Sequence, residues 1–334
     1  MILILSRVTD HSSTLVLEWL KSLKEDVIRI NGDKPNDMTL LFCNLNENKT
    51  IIEHLGKEIN LLDFNSIWYR RRPLSIDNFL LNKNDSLNKR IFFDNMDYQK
   101  GHIKKEIDTL INFIYYKINS AGMFVLGDPN KGNLNKLEVL NMAQKVGLKI
   151  PQTYIISQKE QLIKLMENNS SFITKAMKDS VYLITKQFGY YTYTERITSS
   201  LIHKLPDSFP PSLIQQEITK KYEIRSFYLN GRFYSMVIFS QSNKKTEVDF
   251  RKYSHEKINR YVPFNLPDKI EKKLLILMND ELKLNTGSID IIVDKNDNYI
   301  FLEVNPVGQF TMTSLPCNYL LEKKIAELLC QKQN

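Results

Sequence analysis

The densest chemistry in the chain lies close to its end. Asp290 sits in the apolar run 287–293 (GSIDIIV), and Glu303 and Asn305 sit in 301–306 (FLEVNP). Strand side chains alternate between faces. Glu303 and Asn305 therefore share one face, with Leu302 and Val304 on the other, and Ser288 and Asp290 share a face of the partner strand. Three oxygen donors converging across a hairpin suit Mg²⁺, a hard cation that completes its shell with water and nucleotide phosphates. Any one of these residues alone reads as a polar group on the wet side of a sheet. The trio, set between two strongly apolar runs, points to a metal.

A second group lies at 213–225. Leu213 and Ile214 lead into Gln215, Gln216, Glu217 and Ile218, an apolar strand that turns polar and then continues. Such a hinge can offer backbone groups to an adenine edge. Glu223 and Arg225 follow on one strand face. The carboxylate can take ribose hydroxyls, and the guanidinium can clamp a transferring phosphoryl oxygen. Two lysines complete the set. Lys175 ends an apolar strand, where its ammonium can reach a phosphate as a point charge. Lys136 lies at a helix start, where free backbone N–H groups also favour anions.

Alternating elements must position these groups. Residues 2–5 read as a first buried strand, followed by a helix to about residue 25 and short strands near 27–30, 39–43 and 67–70. These imply a small open α/β sheet. Residues 99–118 carry isoleucine and leucine at helical spacing. Asn135 and Lys136 open a further helix, which Gly147 ends. Pro206, Pro210 and Pro211 predict a linker, and 223–241 and 287–304 predict hairpins. A last helix is expected over about 319–330.

Composition narrows the options. The chain has 334 residues, 42% hydrophobic and 25% charged, with a formal charge of +8. This is the balance of a folded chain of two or three domains with an anionic partner. No apolar run reaches the ~18–20 residues needed to span a bilayer, and the first residues lack a signal peptide's basic segment. Cys43, Cys317 and Cys330 have no metal-ligand spacing, which fits a reducing cytoplasm. Gly127 and Gly132 have P-loop spacing, but Asn133 and Leu134 follow where Lys and Ser/Thr are required. His255 and Glu256 begin a zinc-protease pattern, but Asn259 stands where its second histidine belongs.

Taken in order, Asn135, Lys136, the segment 147–151 (GLKIP), Lys175, 215–218, Glu223 to Arg225, Asp290, Glu303 and Asn305 resemble the ATP-grasp superfamily over about residues 123–310. The branch they most resemble is the graspetide synthetases, which cyclise ribosomally made peptides. Trp68, Tyr69, Arg70 and Arg71 resemble that branch's N-terminal tryptophan–tyrosine–arginine–arginine segment. Asp249, Phe250 and Arg251 resemble its aspartate–tryptophan–arginine segment.

The resemblance implies an α/β fold with three parts: an N-terminal pre-ATP-grasp domain (1–122), a central subdomain (123–211) and a C-terminal subdomain of antiparallel sheet (212–334). It implies ATP bound by Lys136, Lys175, Gln215, Gln216, Glu217, Ile218 and Glu223, and Mg²⁺ bound by Asp290, Glu303 and Asn305. Arg225 is expected to stabilise the transferring phosphoryl group. Asp249 and Arg251 are expected to place the core of a precursor peptide, and Trp68, Arg70 and Arg71 to contact that peptide. A homodimer follows by resemblance alone.

The chain departs from the pattern in three places. Residues 176–182 hold no glycine where a glycine-rich phosphate lid is common, which brings in Lys178 and Lys186. Gln216 stands where glutamate is usual, and Phe250 where tryptophan is. Two other readings compete: an ATP-grasp ligase adding an amino acid to a protein or carrier, and a basic nucleic-acid-binding protein, whose only tight basic run is Arg70, Arg71 and Arg72.

Overall fold

The computed structural model describes residues 1–33, 38–71, 74, 97–167, 171–178, 182–184, 189–191, 194–240 and 259–331. They form two compact units, 1–132 with 320–334, and 133–319.

The first unit is built on a parallel sheet in the order β2-β1-β6-β7, made of β1 (Ile2–Ser6), β2 (Val27–Asn31), β6 (Ser66–Tyr69) and β7 (Phe124–Leu126). Every residue of β1 is buried, as a parallel sheet covered on both faces requires. Helix α1 (His11–Ser22) ends at Lys24, in the left-handed region with φ 60°. Helix α2 (Asp97–Ser120) carries the predicted stripe, and Ile111, Ile114 and Ile118 are buried against Leu3, Leu5 and Ile67. A meander of β3 (Thr39–Asn44), β4 (Lys49–His54) and β5 (Lys57–Asn60) completes the unit. Strands β4 and β5 escape sequence reading because charged residues interrupt their apolar pattern.

The second unit holds two antiparallel sheets and a hairpin. One sheet, in the order β12-β9-β13-β8, combines β8 (Thr153–Gln158), β9 (Phe172–Lys175), β12 (Glu195–Arg196) and β13 (Ser208–Gln216). The hairpin pairs β10 (Tyr182–Ile184) with β11 (Gly189–Tyr191). The other sheet, in the order β16-β15-β14-β17-β18, combines β14 (Lys220–Leu229), β15 (Arg232–Phe239), β16 (Arg260–Phe264), β17 (Thr286–Asp294) and β18 (Tyr299–Asn305). The helices of this unit are α3 (Lys136–Lys145), α4 (Lys159–Met166), α5 (Ser199–Lys204), α6 (Asp268–Ile276) and α7 (Thr311–Cys317). Ile224, Tyr228 and Val237 turn one face of the five-stranded sheet to a core shared with Val139, Leu140 and Ala143 of α3 and Leu274 of α6.

One expectation needs correction. The three prolines do not make a linker. Pro210 and Pro211 lie inside β13, which crosses the expected 211/212 boundary. Proline cannot donate to a ladder, and the register of β13 against β8 shifts between Ser208 and Ser212, where the prolines stand. A short helix that sequence reading missed, α7, precedes the expected last helix. Asn318 and Leu320 adopt left-handed φ of 52° and 50° and separate α7 from α8 (Leu321–Cys330), which belongs to the first unit. Helix α7 contains Pro316, which hides it from a periodicity reading.

The first unit contains a buried charge pair. Arg70 Nε lies 3.1 Å from Asp10 Oδ2, with both side chains under 5% exposed, and an Arg70 terminal nitrogen donates to Ser12 Oγ at 2.8 Å. Burial opposes ionisation of Asp10, but Arg70, Ser12, Arg71 and Ser6 outweigh it and hold its carboxyl below the usual range. A depressed folded-state value means the stabilisation is complete above about pH 4, the ordinary aspartate value, and is lost as pH falls through the folded-state value. Asp10→Asn leaves Arg70 buried without its anion and is expected to cost about 3–5 kcal/mol, read as a fall in the urea midpoint at neutral pH. An unchanged midpoint would mean that the pair contributes nothing to stability.

Candidate active site

Strand β13 delivers the hinge. Gln215 pairs with Thr153 on one side and Ile173 on the other, and its amide turns inward to donate to Thr153 Oγ1 at 2.9 Å. Gln215 is 1% exposed, so its side chain serves the sheet. The N–H of Gln216 donates to Gln152 O and that of Glu217 to Ser171 O, both at 2.8 Å. Those donors are spent; among the described residues the N–H of Ile218, just past the strand end, is the hinge donor left to meet an adenine edge. Arg196 of β12 grips Glu217 through Nε at 2.8 and 2.9 Å and a terminal nitrogen at 2.6 Å. A bidentate grip of this kind fixes orientation as well as charge.

Beyond the hinge opens a cleft with polar and apolar walls. Lys175, Gln215 to Ile218, and Glu223 all line it, so six of the residues expected to hold a nucleotide face one space. Ile173, Ile292 and Leu302 give it apolar walls.

Two β-bulges shape these walls, and both defeat simple alternation. In β14 the register steps from Lys220↔Asp294 to Tyr222↔Val293, so Lys221 is an extra residue. The bulge carries Lys220 onto the face of Glu223, where strict alternation would put it on the opposite one. In β18 the register steps from Asp290↔Glu303 to Ile291↔Phe301, so Leu302 is the extra residue. The expectation that Leu302 faces away with Val304 is therefore corrected. Val304 lies in the core, and Leu302 lines the cleft with Ile292. Bulges re-aim side chains beside functional sites, and the residue sequence reasoning missed here is Lys220.

Lys220 Nζ lies 2.6 Å from Glu223 Oε1, and Ser240 Oγ donates to the same oxygen at 2.7 Å. Burial pushes the Glu223 carboxyl above its usual range, against the pull of Lys220 and Ser240.

Next to the cleft, one row of charge runs across three strands. Arg225 of β14 is directly opposite Asp290 of β17, which is directly opposite Glu303 of β18. One Arg225 terminal nitrogen donates to both Asp290 oxygens, at 2.8 and 2.7 Å. Lys136 Nζ lies 3.2 Å from Glu303 Oε2. Lys136 gets there because Asn135 caps α3, its side chain accepting from the Leu137 N–H at 3.1 Å and donating to Glu138 at 2.9 Å. Met236, opposite Arg225, and Ile238, opposite Glu223, pack with Cys317 and Met312 of α7, which covers that side of the face. Arg225 is consequently 7% exposed, and its Nε is buried without a hydrogen-bond partner among the described residues.

Asn305 stands opposite Ser288, the next position on the same face. The chain then folds back over β17. A Cβ on Gly308 would fall 2.5 Å from the backbone N of Ser288, so only glycine fits there. Asp290, Glu303 and Asn305 thus present hard oxygens on one face of adjacent strands, which suits Mg²⁺. Among the described residues no three His, Cys, Asp or Glu side chains cluster to hold a metal; on this face the Asn305 amide is the further oxygen beside the two carboxylates. Arg225 and Lys136 already balance the two carboxylates, and a divalent ion accompanied by phosphates fits such a set.

The remaining expected residues lie elsewhere. Trp68 and Arg70 are 2% and 3% exposed inside the first unit. The Arg70 guanidinium lies 5.8 Å from the Trp68 ring centroid. Arg71, with its side chain 32% exposed, is the member of that segment at the surface, 3.8 Å from Asp10. Lys178 is exposed. Asp249, Arg251 and Lys186 lie outside the described residues.

Comparison with known proteins converges on the same frame. A family model of the MvdD pre-ATP-grasp domain matches residues 1–84, and one of the RimK-like ATP-grasp domain matches residues 133–329. No curated protein matches the chain. Among solved structures, a RiPP-associated ATP-grasp ligase of Chryseobacterium gregarium, in complex with ADP and a leader and core peptide, is 26% identical. The alignment covers 100% of this chain and 97% of that one, with a TM-score of 0.81. The macrocyclase MdnC of Microcystis aeruginosa MRC, bound with precursor peptide MdnA, is also 26% identical, with 98% and 99% covered and a TM-score of 0.76. Macrocyclase MdnB of the same organism, at 21% identity, 98% coverage of each chain and a TM-score of 0.70, shares the fold. With a model of the RimK-like ATP-grasp domain matching more than half its length, the chain belongs to the ATP-grasp family and is an ATP-dependent ligase.

Proposed function

We propose that this ligase is a peptide macrocyclase that joins Asp or Glu side chains of a ribosomally made precursor peptide to Ser/Thr hydroxyls or Lys amines of the same peptide. The observation that carries the reading is whole-length likeness. Both relatives at 26% identity hold a leader and core peptide or a precursor peptide in their structures, and each is matched over at least 97% of its own length. The charge of +8 gives an acidic peptide an electrostatic partner.

A carboxylate is a poor electrophile because its leaving group would be oxide. ATP solves this. A substrate carboxylate oxygen bonds to the γ-phosphorus as the bond to the bridging oxygen breaks, and ADP leaves with the electron pair. The hydroxyl or amine then attacks the acyl carbon, loses its proton and expels phosphate, so each ring costs the peptide one water. The chain's own residues align and neutralise; none needs to become a nucleophile. The hinge carbonyls and the Ile218 N–H hold the adenine edge between Ile292 and Leu302, and Glu223 takes ribose hydroxyls. Lys136 and Lys175 meet the phosphates, and Arg225 stabilises the phosphoryl group in flight. Asp290, Glu303 and Asn305 would hold Mg²⁺, which supplies further neutralisation of phosphate charge when bound. Asp249 and Arg251 place the core peptide. Arg71 contacts the peptide, with Trp68 and Arg70 acting through it from the interior. We further propose a cytoplasmic homodimer.

The RimK-like match also supports a second reading, a ligase that adds an amino acid to a protein or carrier. Intact mass spectrometry separates the two after co-expression with a short acidic precursor peptide. Loss of one or more waters from the peptide, absent with Glu303→Ala, is expected; a gain equal to an amino acid would replace the macrocyclase reading. Glu303→Ala and Asn305→Ala are each expected to lower Mg²⁺-ATP turnover at least about 100-fold, and unchanged turnover would remove the metal assignment. Arg71→Ala is expected to impair peptide processing about tenfold while leaving nucleotide affinity within about twofold. The reverse pattern would show that the segment serves the nucleotide.

A further inference from the structure

Lys220 is a lysine in a nucleotide cleft, which first suggests a phosphate ligand. Its surroundings give it a different task. Its side chain is 5% exposed, and its Nζ is committed to Glu223 Oε1 at 2.6 Å. Ser240 Oγ, from the end of β15, donates to that same oxygen at 2.7 Å. Both holders converge on Oε1, so the carboxylate is anchored from one side and its second oxygen is left with acceptor capacity at the wall of the cleft. Moving Nζ away to a phosphate would strand a carboxylate that is nine-tenths buried.

The anchored carboxylate also decides which part of a nucleotide it can face. Ionised, it accepts hydrogen bonds and repels phosphate, so its partner has to be a neutral donor. Arg225 is two residues further along the same face, about 7 Å on at strand rise, and marks the phosphate side. The sugar hydroxyls are the donors that fit between. The bulge at Lys221 makes this possible, because without it Lys220 would face the core and Glu223 would be buried with no cation.

We propose that Lys220 is a positioning residue: through Glu223 it fixes the acceptor that reads the ribose hydroxyls, and thereby sets the preference of this ligase for ribonucleotides over deoxynucleotides. The proposal rests on the nucleotide reading of the cleft. The test measures binding of ATP, 2′-deoxy-ATP and 3′-deoxy-ATP to the full chain with Mg²⁺ by calorimetry. The wild type is expected to bind ATP at least about tenfold more tightly than one of the two analogues, the usual effect of losing a hydrogen bond to a charged group. Lys220→Met is expected to bring the three affinities within about threefold, and Lys220→Arg to restore most of the preference. Ser240→Ala keeps the ion pair and is expected to lower the preference about threefold.

Lys220→Met that folds and keeps the wild-type preference overturns the proposal. So does an equal loss for all three nucleotides, which is what removal of a phosphate ligand produces. Should Lys220→Met fail to fold, Ser240→Ala decides, and an undiminished preference in that variant overturns the anchoring role. Wild type that binds no ATP overturns the nucleotide reading itself. Wild type that binds all three alike overturns the sugar-facing role of Glu223, and the proposal with it, while leaving the nucleotide reading in place.

Discussion

Two carboxylates on directly opposed residues of neighbouring strands repel one another, and the second unit is arranged around Asp290 and Glu303 in that relation. At about 5 Å and an effective dielectric of 20 the repulsion is roughly 3 kcal/mol, enough to matter in a chain stable by roughly 5–15 kcal/mol. Arg225 answers it from within the sheet, and Lys136 answers it from the capped end of α3. The order β14-β17-β18 places Arg225, Asp290 and Glu303 in a single row, and α7 packs over Met236 and Ile238 on the same face. The row is thus held in a partly dry environment, where charges act more strongly than in water. The pairings that stabilise the fold are those that keep hard oxygens and cations side by side for a polyanion.

Much of this could be read in the residues. The apolar runs around Asp290 and Glu303, the Asn135 cap and the Glu223–Arg225 spacing depend on period-2 alternation and helix-end chemistry, which are local. What stayed hidden depends on departures from local regularity. Lys220 and Leu302 face the cleft only because a bulge resets the alternation beside each. Pro210 and Pro211 suggest a linker by composition, but a strand tolerates them where its ladder is already out of register. Helix α7 is short and contains Pro316, and its role as a cover for Arg225 shows only in the packing. A bulge or an interrupted ladder leaves no signature in one strand, since it is a relation between two.

The first unit separates what a motif displays from what it exposes. Trp68, Arg70 and Arg71 lie within four residues of sequence, but β6 buries Trp68, and Arg70, just past its end, is buried beside it. Arg70 is tied to Asp10 and Ser12 at the start of α1. Only Arg71 emerges. A charged side chain kept almost fully from water must be paired, so Arg70 sets the exit direction of the strand and Arg71 carries the surface charge.

The two bulges also decide which kinds of inherited change this cleft can absorb. Exchange of one side chain leaves the backbone count intact, and a lost contact can be regained by a neighbour of similar shape. Removal of a single codon at Lys221 or Leu302 is different. It takes out the extra residue itself, restoring regular pleating while leaving Lys220 opposite Asp294 and Glu303 opposite Asp290, whereas removal of a codon elsewhere in either strand slips the residues beyond it by one and sends their side chains to the other face. Descendants of this chain can therefore vary the chemical lettering along β14 and β18 widely, while a change in the number of residues keeps the charge row aligned only where it falls on a bulge.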